Sequence, residues 1–188
     1  MGMLMRFLEV AGSRRAAVAV LAAITALYYL IVAITNCTDP HTNRRGVAAV
    51  FSMDKTIHDP STDWHAIHNS TVVLIAYILI VIWEFSIAFV LVSATIAWVR
   101  ALRPGANDKL AVRLSSLGWT MAVVLFLGGF LTIGGEWFRM WANKDVNASS
   151  AARQNFLVAA VGLILVHLRD PRPGSARVGI EPGGDEGR

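Results

Sequence analysis

The chain has 188 residues, of which 55% are hydrophobic, and its formal net charge is +4. A chain of this length that is so apolar is atypical of soluble domains and favours an integral membrane protein. The positive charge alone would allow nucleic-acid binding. However, the charged residues lie at the ends of apolar runs, which argues against such a partner. The sequence therefore predicts an all-α integral membrane protein with no nucleic-acid partner.

Residues 1–15 form a short basic N-terminal lead, and the first apolar run follows at 16–34. This run is longer than the apolar part of a signal peptide, and the polar segment after it lacks a small-residue cleavage site. We therefore expect the run to stay in the protein as the first membrane helix. Asp39 and Pro40 should end it, since proline cannot continue a helix.

The connection at 35–70 is the longest polar stretch between apolar runs. Its short apolar patch at 46–53 cannot span a bilayer, and we expect it to lie along the interface as one or two helical turns. Four histidines lie in this connection: His41, His58, His65 and His68. With the nearby aspartates they could supply ligands for a divalent cation. Their spacing matches no metal-binding motif, so the sequence favours a hydrated loop over a metal site.

The second apolar run, at 71–99, contains a single ionisable residue, Glu84. The run has no Gly or Pro and exceeds the ~20 residues that cross the hydrocarbon core, so it predicts a membrane helix. A carboxylate at that depth costs ~2.5 kcal/mol or more. A partner, a bound proton or a water-filled cavity must offset this cost.

The third helix is predicted at 114–138 and the fourth at 151–168. The third contains five glycines: Gly118, Gly128, Gly129, Gly134 and Gly135. Small residues let helices approach closely in lipid, so we expect this helix to be the most tightly packed. Residues 169–188 are rich in Pro, Gly and charge, which is typical of a disordered tail.

The distribution of Lys and Arg predicts the orientation of this four-helix bundle at 16–168. Eleven of these residues lie in the N-terminal lead, the second connection and the tail, against six in the first and third connections. Under the positive-inside rule, both termini and the second connection face the cytoplasm. We therefore expect a multi-pass protein of the bacterial cytoplasmic (inner) membrane.

Glu84 is the first candidate functional residue, and two interpretations remain open. In one, Glu84 carries a proton or binds a quinone, in a site bordered by Trp83 and Trp119. In the other, Glu84 is a structural contact between helices, either protonated or bound by one polar neighbour. The candidate neighbours are Thr25, Thr120 and Tyr28.

A second candidate is a polar cluster at the outer rim of the bundle. Its members are Asn36, Asp39, Glu136 and Arg139. An ion pair between Arg139 and either Asp39 or Glu136 would join the first helix to the third at the interface. The alternative for this cluster is a ligand site at the mouth of the bundle.

Several signatures of catalysis are missing from the sequence. No Walker A, GxSxG, HExxH or CxxC motif is present, and no nucleophile is paired with a base. The first three helices contain no histidine, so no pair of haem ligands on facing helices is available. Cys37, the only cysteine, is expected as a small residue at a helix end. The sequence therefore predicts a protein that is not catalytic on its own and has no metal, haem or cofactor of its own.

Five short blocks carry a resemblance to a known family. They are Asn36-x-Thr38-Asp39, Ser52-Met53-Asp54-x-Thr56, Trp64-x-Ala66-Ile67, Trp83-Glu84 and Gly134-Gly135-Glu136-Trp137-Phe138-x-Met140-Trp141. Over residues 20–168 the chain resembles a bacterial family of predicted small integral membrane proteins, a domain of unknown function with four helices. The family tends to have His near Ala48 and Ala49, and Arg in place of His65, which argues against a metal site in the loop. The resemblance implies the four-helix architecture and brings no known activity, catalytic residue or cofactor.

Two functions fit these observations. The first is a non-enzymatic anchor or accessory subunit of an inner-membrane complex, respiratory and quinone-linked, with a quinone held at a subunit interface. The alternative is a small oligomeric proton-coupled transporter in which Glu84 is the coupling acid. Four helices rarely enclose a pathway alone, so this transporter would be at least a dimer. The expected partners are the lipid bilayer, other membrane or peripheral subunits, and a second copy of the chain.

Overall fold

The computed structural model describes residues 2–168, and the regular elements in this part of the chain are all helices. They are α1 (Gly2–Ala11), α2 (Arg14–Thr38), α3 (Pro40–Ser52), α4 (Ser70–Ala101), α5 (Lys109–Val123), its π-helical continuation (Val124–Trp137) and α6 (Ser149–His167). Short 3-10 turns lie at Asp63–His65 and Met140–Ala142. The disordered tail predicted at 169–188 lies outside the described residues.

Four of the helices are long and apolar enough to span a membrane: α2, α4, α5 with its π-helical continuation, and α6. The shortest, α6, has 19 residues and is therefore ~28 Å long, about the thickness of the hydrocarbon core. These spans confirm the predicted all-α bundle of four transmembrane helices. The first two extend beyond the predicted apolar runs at both ends, and the side chains of Ser13 and Asn69 cap their N-termini.

Helices α2 and α4 pack antiparallel, and two contacts far apart fix their register. Near one end the Arg15 guanidinium donates to the Ala101 carbonyl oxygen at 3.0 Å. Near the other end the Asn36 side chain meets Glu84. Because α4 has 32 residues and α2 has 25, the first turns of α4 extend beyond the end of α2. There α4 packs against α3 instead.

Two arginines at the start of α2 hold three other segments together, and we call this the arginine clasp. Arg15 Nε lies 3.1 Å from an Asp108 carboxylate oxygen, and Arg14 Nη2 lies 3.8 Å from the same oxygen. Arg14 also donates to the Val166 carbonyl in the last turn of α6 at 3.3 Å. Carbonyls at helix C-termini carry partial negative charge, so guanidinium groups stabilise the ends of both α4 and α6.

The connection between the first two spans is more ordered than the sequence predicted. In place of one or two turns, α3 forms a helix of 13 residues, which Asp39 caps and Pro40 begins. A second small core joins this connection to the end of the third span. Its buried members are Val50, Met53, Phe138 and Met140. We call this region the capping layer, because it closes one end of the bundle.

The third span changes from an α-helix to a π-helix at Val124, where the sequence predicted an α-helix throughout. The wider turns are visible in the hydrogen bonds, since the Phe138 N–H donates to the carbonyl of Ile133, five residues earlier. Four glycines lie in this segment: Gly128, Gly129, Gly134 and Gly135. Glycine costs about 1 kcal/mol relative to alanine in an α-helix, so these residues weaken the preference for α geometry.

Close helix packing occurs at two glycines. A Cβ atom on Gly118 would lie 2.5 Å from Leu91 Cδ2 on α4, and one on Gly162 would lie 2.4 Å from Trp119 Cε2. A Cβ on Gly128 would meet nothing within 4 Å. The prediction that the third helix is the most tightly packed is wrong, since 28% of the apolar part of this span is buried, against 39% in α2 and 33% in α4. Gly118 does allow close approach to α4, and Gly162 on α6 provides a contact that the sequence did not indicate.

We predict that Gly162→Ala destabilises the bundle by about 1–3 kcal/mol, because the new methyl group collides with the ring of Trp119, which is too rigid to yield. Unfolding by denaturant in detergent micelles, followed by far-UV circular dichroism, measures the effect. Gly128→Ala is the matched control and should change the unfolding free energy by less than about 0.5 kcal/mol. Equal effects of both substitutions would show that the contact between α5 and α6 does not limit stability.

Candidate functional site

Glu84, the acid in the interior of a span, is bound by a side chain from the neighbouring helix. Only 4% of its surface is exposed. The Asn36 side-chain amide on α2 donates to Glu84 Oε2 at 2.5 Å. In lipid, such a contact between helices satisfies a polar group that would otherwise be stranded in hydrocarbon. The pair therefore offsets part of the cost of placing a carboxyl group inside the bundle.

Tyrosines extend this pair into a small polar cluster. The Tyr77 hydroxyl, two turns before Glu84 on α4, donates to the Asn36 carbonyl oxygen at 2.5 Å. Tyr29, which is 1% exposed, packs beside Phe126 on the π-helix, with ring centroids 6.1 Å apart. We call Asn36, Tyr77 and Glu84 the polar lock, since it joins α2 to α4 through one side chain and one backbone carbonyl of Asn36.

The polar lock lies towards the α3 end of the bundle. Glu84 is the fifteenth residue of α4 and is near the middle of that helix, but its partner Asn36 is only two residues from the end of α2. At 1.5 Å per residue, Asn36 therefore lies ~3 Å from the last residue of α2. The register with α2 thus places the carboxyl group much closer to the capping layer than to the arginine clasp.

The structure does not bring Trp83, Glu84 and Trp119 to one pocket. Trp83 is 38% exposed, and its indole N–H donates to the Met121 carbonyl oxygen at 2.9 Å. Trp119 is fully buried against Gly162 of α6, while Glu84 faces α2. The three side chains therefore point towards different neighbours.

Thr25 and Tyr28, two of the neighbours considered for Glu84, bind other groups, and within residues 2–168 no hydrogen bond joins Thr120 to Glu84. The Thr25 hydroxyl donates to the Leu21 carbonyl, and the Tyr28 hydroxyl accepts from Asn155 on α6. Sequence reasoning assigned Asn36 to the rim cluster and did not connect it with Glu84. Antiparallel pairing aligned from the contact between Arg15 and Ala101 places Asn36 opposite position 80, about one turn from Glu84. The sequence alone does not give this register.

The four residues of the rim cluster take separate roles. Asn36 belongs to the polar lock. Asp39 caps α3, and hydrogen bonds from the Thr42 side chain and backbone N–H lower the pKa of its carboxyl group. Arg139 donates to the Ile57 carbonyl oxygen at 3.3 Å. Within residues 2–168 no ion pair joins Arg139 to Asp39 or Glu136.

The loop histidines do not converge. His58 Nδ1 lies 3.5 Å from an Asp63 carboxylate oxygen, and the His65 ring stacks on Trp64 with centroids 5.1 Å apart. In the described part of the chain, no three His, Cys, Asp or Glu side chains are arranged to hold a metal ion.

Two cavities open on the side of the capping layer, and Glu84 lines neither of them. One, of about 330 Å³, lies between α3 and the start of α4 and includes Arg44, Asp54 and His68 in its wall. The other, of about 540 Å³, lies at the end of the π-helix beside Glu136. The polar lock is therefore a packed contact between helices, whereas the open volume lies at the capping layer.

We predict that Asn36→Leu destabilises the protein by about 1–3 kcal/mol, because it removes the donor to the buried Glu84. Adding Glu84→Leu should restore most of this loss, since replacing both partners by apolar groups leaves no polar group unsatisfied. Unfolding free energies in detergent micelles for the two single variants and the double variant measure the coupling. Asn155→Ala, which removes an exposed hydrogen bond to Tyr28, is the control. A loss in Asn36→Leu no larger than in this control would contradict the structural role of the lock.

Comparison with known proteins agrees with the architecture. No curated protein and no solved structure matches the chain. One family does, and the match covers residues 14–169, from the arginine clasp to just beyond α6. Since the match includes all four spans, the polar lock and the capping layer, the chain belongs to the family described as "Predicted small integral membrane protein (DUF2165)".

Proposed function

We propose that this multi-pass membrane protein is a non-enzymatic anchor or accessory subunit of a larger complex in the bacterial inner membrane. This proposal rests on the hydrogen bond that the Asn36 side chain donates to the buried carboxyl group of Glu84. A coupling acid in a carrier must exchange its proton with water on both sides. In this chain the carboxyl group is packed between helices and lines neither cavity, which supports a role in assembly over one in transport.

The proposed complex is respiratory and quinone-linked, with the quinone at an interface between subunits. Trp83 supports this location, because its ring is partly exposed on the outer surface of α4, where another subunit could complete a pocket. The quinone therefore requires a second protein and is not a cofactor of this chain alone. The proposal involves no haem, since the only histidine in a span, His167, is bound to the Ser116 hydroxyl at 3.0 Å.

The proposed orientation has the arginine clasp in the cytoplasm and the capping layer outside. Basic residues gather around the clasp: Arg14, Arg15, Arg100, Arg103, Lys109 and Arg113. Helix α1 ends beside the clasp and carries large exposed apolar side chains, such as Met3 and Phe7, a pattern typical of helices that lie along a membrane surface. Both features support a cytoplasmic N-terminus.

We predict that single cysteines report this orientation in spheroplasts treated with a membrane-impermeant maleimide. In a Cys37→Ser background, Ser61→Cys in the capping layer should be labelled directly. Pro104→Cys, beside the clasp, should be labelled only after permeabilisation. Both positions are exposed, so accessibility depends on the side of the membrane. The opposite pattern would overturn the proposed orientation.

Purification of the tagged chain from its native membrane in mild detergent tests the proposed function. We expect stoichiometric recovery of a flavin or iron–sulfur protein, identified by mass spectrometry and by the absorbance spectrum. Trp83→Leu should lower this recovery, whereas Trp141→Leu, which alters an exposed tryptophan outside the spans, should leave it unchanged.

Recovery of the chain alone, colourless and oligomeric, would contradict the proposal and favour a proton-coupled carrier. That alternative predicts proton-dependent flux in liposomes that Glu84→Gln abolishes.

A further inference from the structure

A groove at the end of the π-helix combines apolar walls with one unpaired carboxylate. It encloses about 540 Å³, and we call it the Glu136 groove. Its lining residues are His65, Thr132, Ile133, Glu136, Trp137 and Phe138. Pockets of this size with mostly apolar walls and a few polar groups are typical of small-molecule sites.

Glu136 sets the charge of the groove. Its side chain is exposed, and within the described part of the chain no hydrogen bond or ion pair engages its carboxylate. No Lys or Arg lines the groove. The neighbouring Arg139 is turned towards the capping layer, where it donates to the Ile57 carbonyl. A bound group with positive charge would therefore meet an uncompensated negative charge.

Aromatic rings supply the second element of the site. The His65 ring lies 4.6 Å from Trp137 at an interplanar angle of 62°, and 6.3 Å from Phe138 at 39°. Trp64 stacks on His65 with centroids 5.1 Å apart and also meets Trp137 edge to face at 5.8 Å, so the three rings form one cluster. Neither ring nitrogen of His65 has a hydrogen-bond partner among the described residues. Tryptophan is the best side chain for attracting a cation over its face, and Trp137 is half exposed.

The position of the groove defines how a ligand would reach it. Thr132 and Ile133 belong to the membrane-spanning part of the third span, whereas Trp137 is the last residue of that span. Both Ile133 and Trp137 are exposed. The groove therefore runs from the apolar region towards the interface, with its apolar end deeper and its charged, aromatic end near water.

We propose that the Glu136 groove binds amphiphilic organic cations, molecules with an apolar body and a single ammonium group. The apolar body lies along Ile133, and the ammonium group lies between the Trp137 ring and the Glu136 carboxylate. A phospholipid with an amine headgroup has similar chemistry but also carries a phosphate. The groove offers no Arg or Lys to pair with that phosphate, and Glu136 would repel it. The free cation is therefore the favoured occupant.

Titration of the full-length protein in nanodiscs with hexyltrimethylammonium tests this site. Isothermal calorimetry should detect saturable binding. A neutral analogue, in which carbon replaces the nitrogen, should bind at least about fivefold more weakly, because only the charged form gains from the carboxylate and the ring. Equal binding of the charged and neutral molecules would overturn the proposal.

Substitutions with matched controls locate the binding. Glu136→Gln and Trp137→Leu should each weaken binding by about fivefold or more. Glu9→Gln, an exposed acid on α1, and Trp141→Leu, a half-exposed tryptophan that does not line the groove, should not. Unchanged far-UV circular dichroism shows that each variant is folded. Loss of binding in the control variants, or its retention in Glu136→Gln, would place the cation elsewhere and overturn the site.

The lipid composition of the nanodiscs distinguishes binding of a free organic cation from binding of a lipid headgroup that carries an ammonium group. Binding should be equal in discs of phosphatidylglycerol alone and in discs that also contain phosphatidylcholine. Competition by the choline lipid would identify a lipid headgroup as the occupant and overturn the assignment to a free cation. Because this experiment uses the isolated chain, its outcome is independent of whether the chain copurifies with a respiratory partner.

Discussion

The antiparallel contact between α2 and α4 is the interaction on which the rest of the structure depends. In a bilayer, apolar side chains gain little free energy by moving from lipid into a contact between helices, so helices associate through close packing and hydrogen bonds. The buried face of α2 provides the packing with a series of small residues: Ala19, Ala22, Ala26 and Ala33. The hydrogen bonds are added at the two ends, where Arg15 reaches the Ala101 carbonyl and Asn36 reaches Glu84. A shift of register by one turn would break both contacts together.

This register explains the unequal ends of the molecule. Near the arginine clasp, the start of α2 and the end of α4 lie at the same height along the bundle, so a short connection is enough to join neighbouring helices there. At the other end, α4 extends past the end of α2, and the part of α4 that α2 does not contact packs against α3. In turn, α3 and the residues after the π-helix contact each other through the stacked rings of Phe51 and Phe138, whose centroids are 4.6 Å apart. Asn143 ties the two segments together by donating to the Ala49 carbonyl at 3.0 Å. One cavity lies between α3 and the start of α4, and the other lies where the end of the third span meets the capping layer.

The sequence was sufficient to predict the four spans, because their length and apolar content are properties of single segments. It was insufficient for features that depend on two segments at once. The partner of Glu84 follows from the register of α2 on α4, which hydropathy does not encode. The helix at Pro40–Ser52 is stabilised by Asp39 as its cap and by burial of Val50 against Phe138 and Met140, which lie far along the chain. The π-helix depends on hydrogen-bond spacing, and glycine content alone does not distinguish it from a loosely packed α-helix.

Glu84 and Glu136, the two acids in the spans, show that the position of an acid within an apolar run does not by itself indicate whether it is accessible to a ligand. Glu84 is a candidate functional residue because it interrupts a long apolar run. Its carboxyl group, however, accepts a hydrogen bond from Asn36 and is almost inaccessible. Glu136, which the sequence placed in the rim cluster, lies at the end of a span, where an acid costs little. Its carboxylate nevertheless lines an open groove beside Trp137 and has no partner of its own in the described residues. The structure thus separates an acid that is buried with a partner from one that is accessible and has none among the described residues, and our proposals assign them different roles.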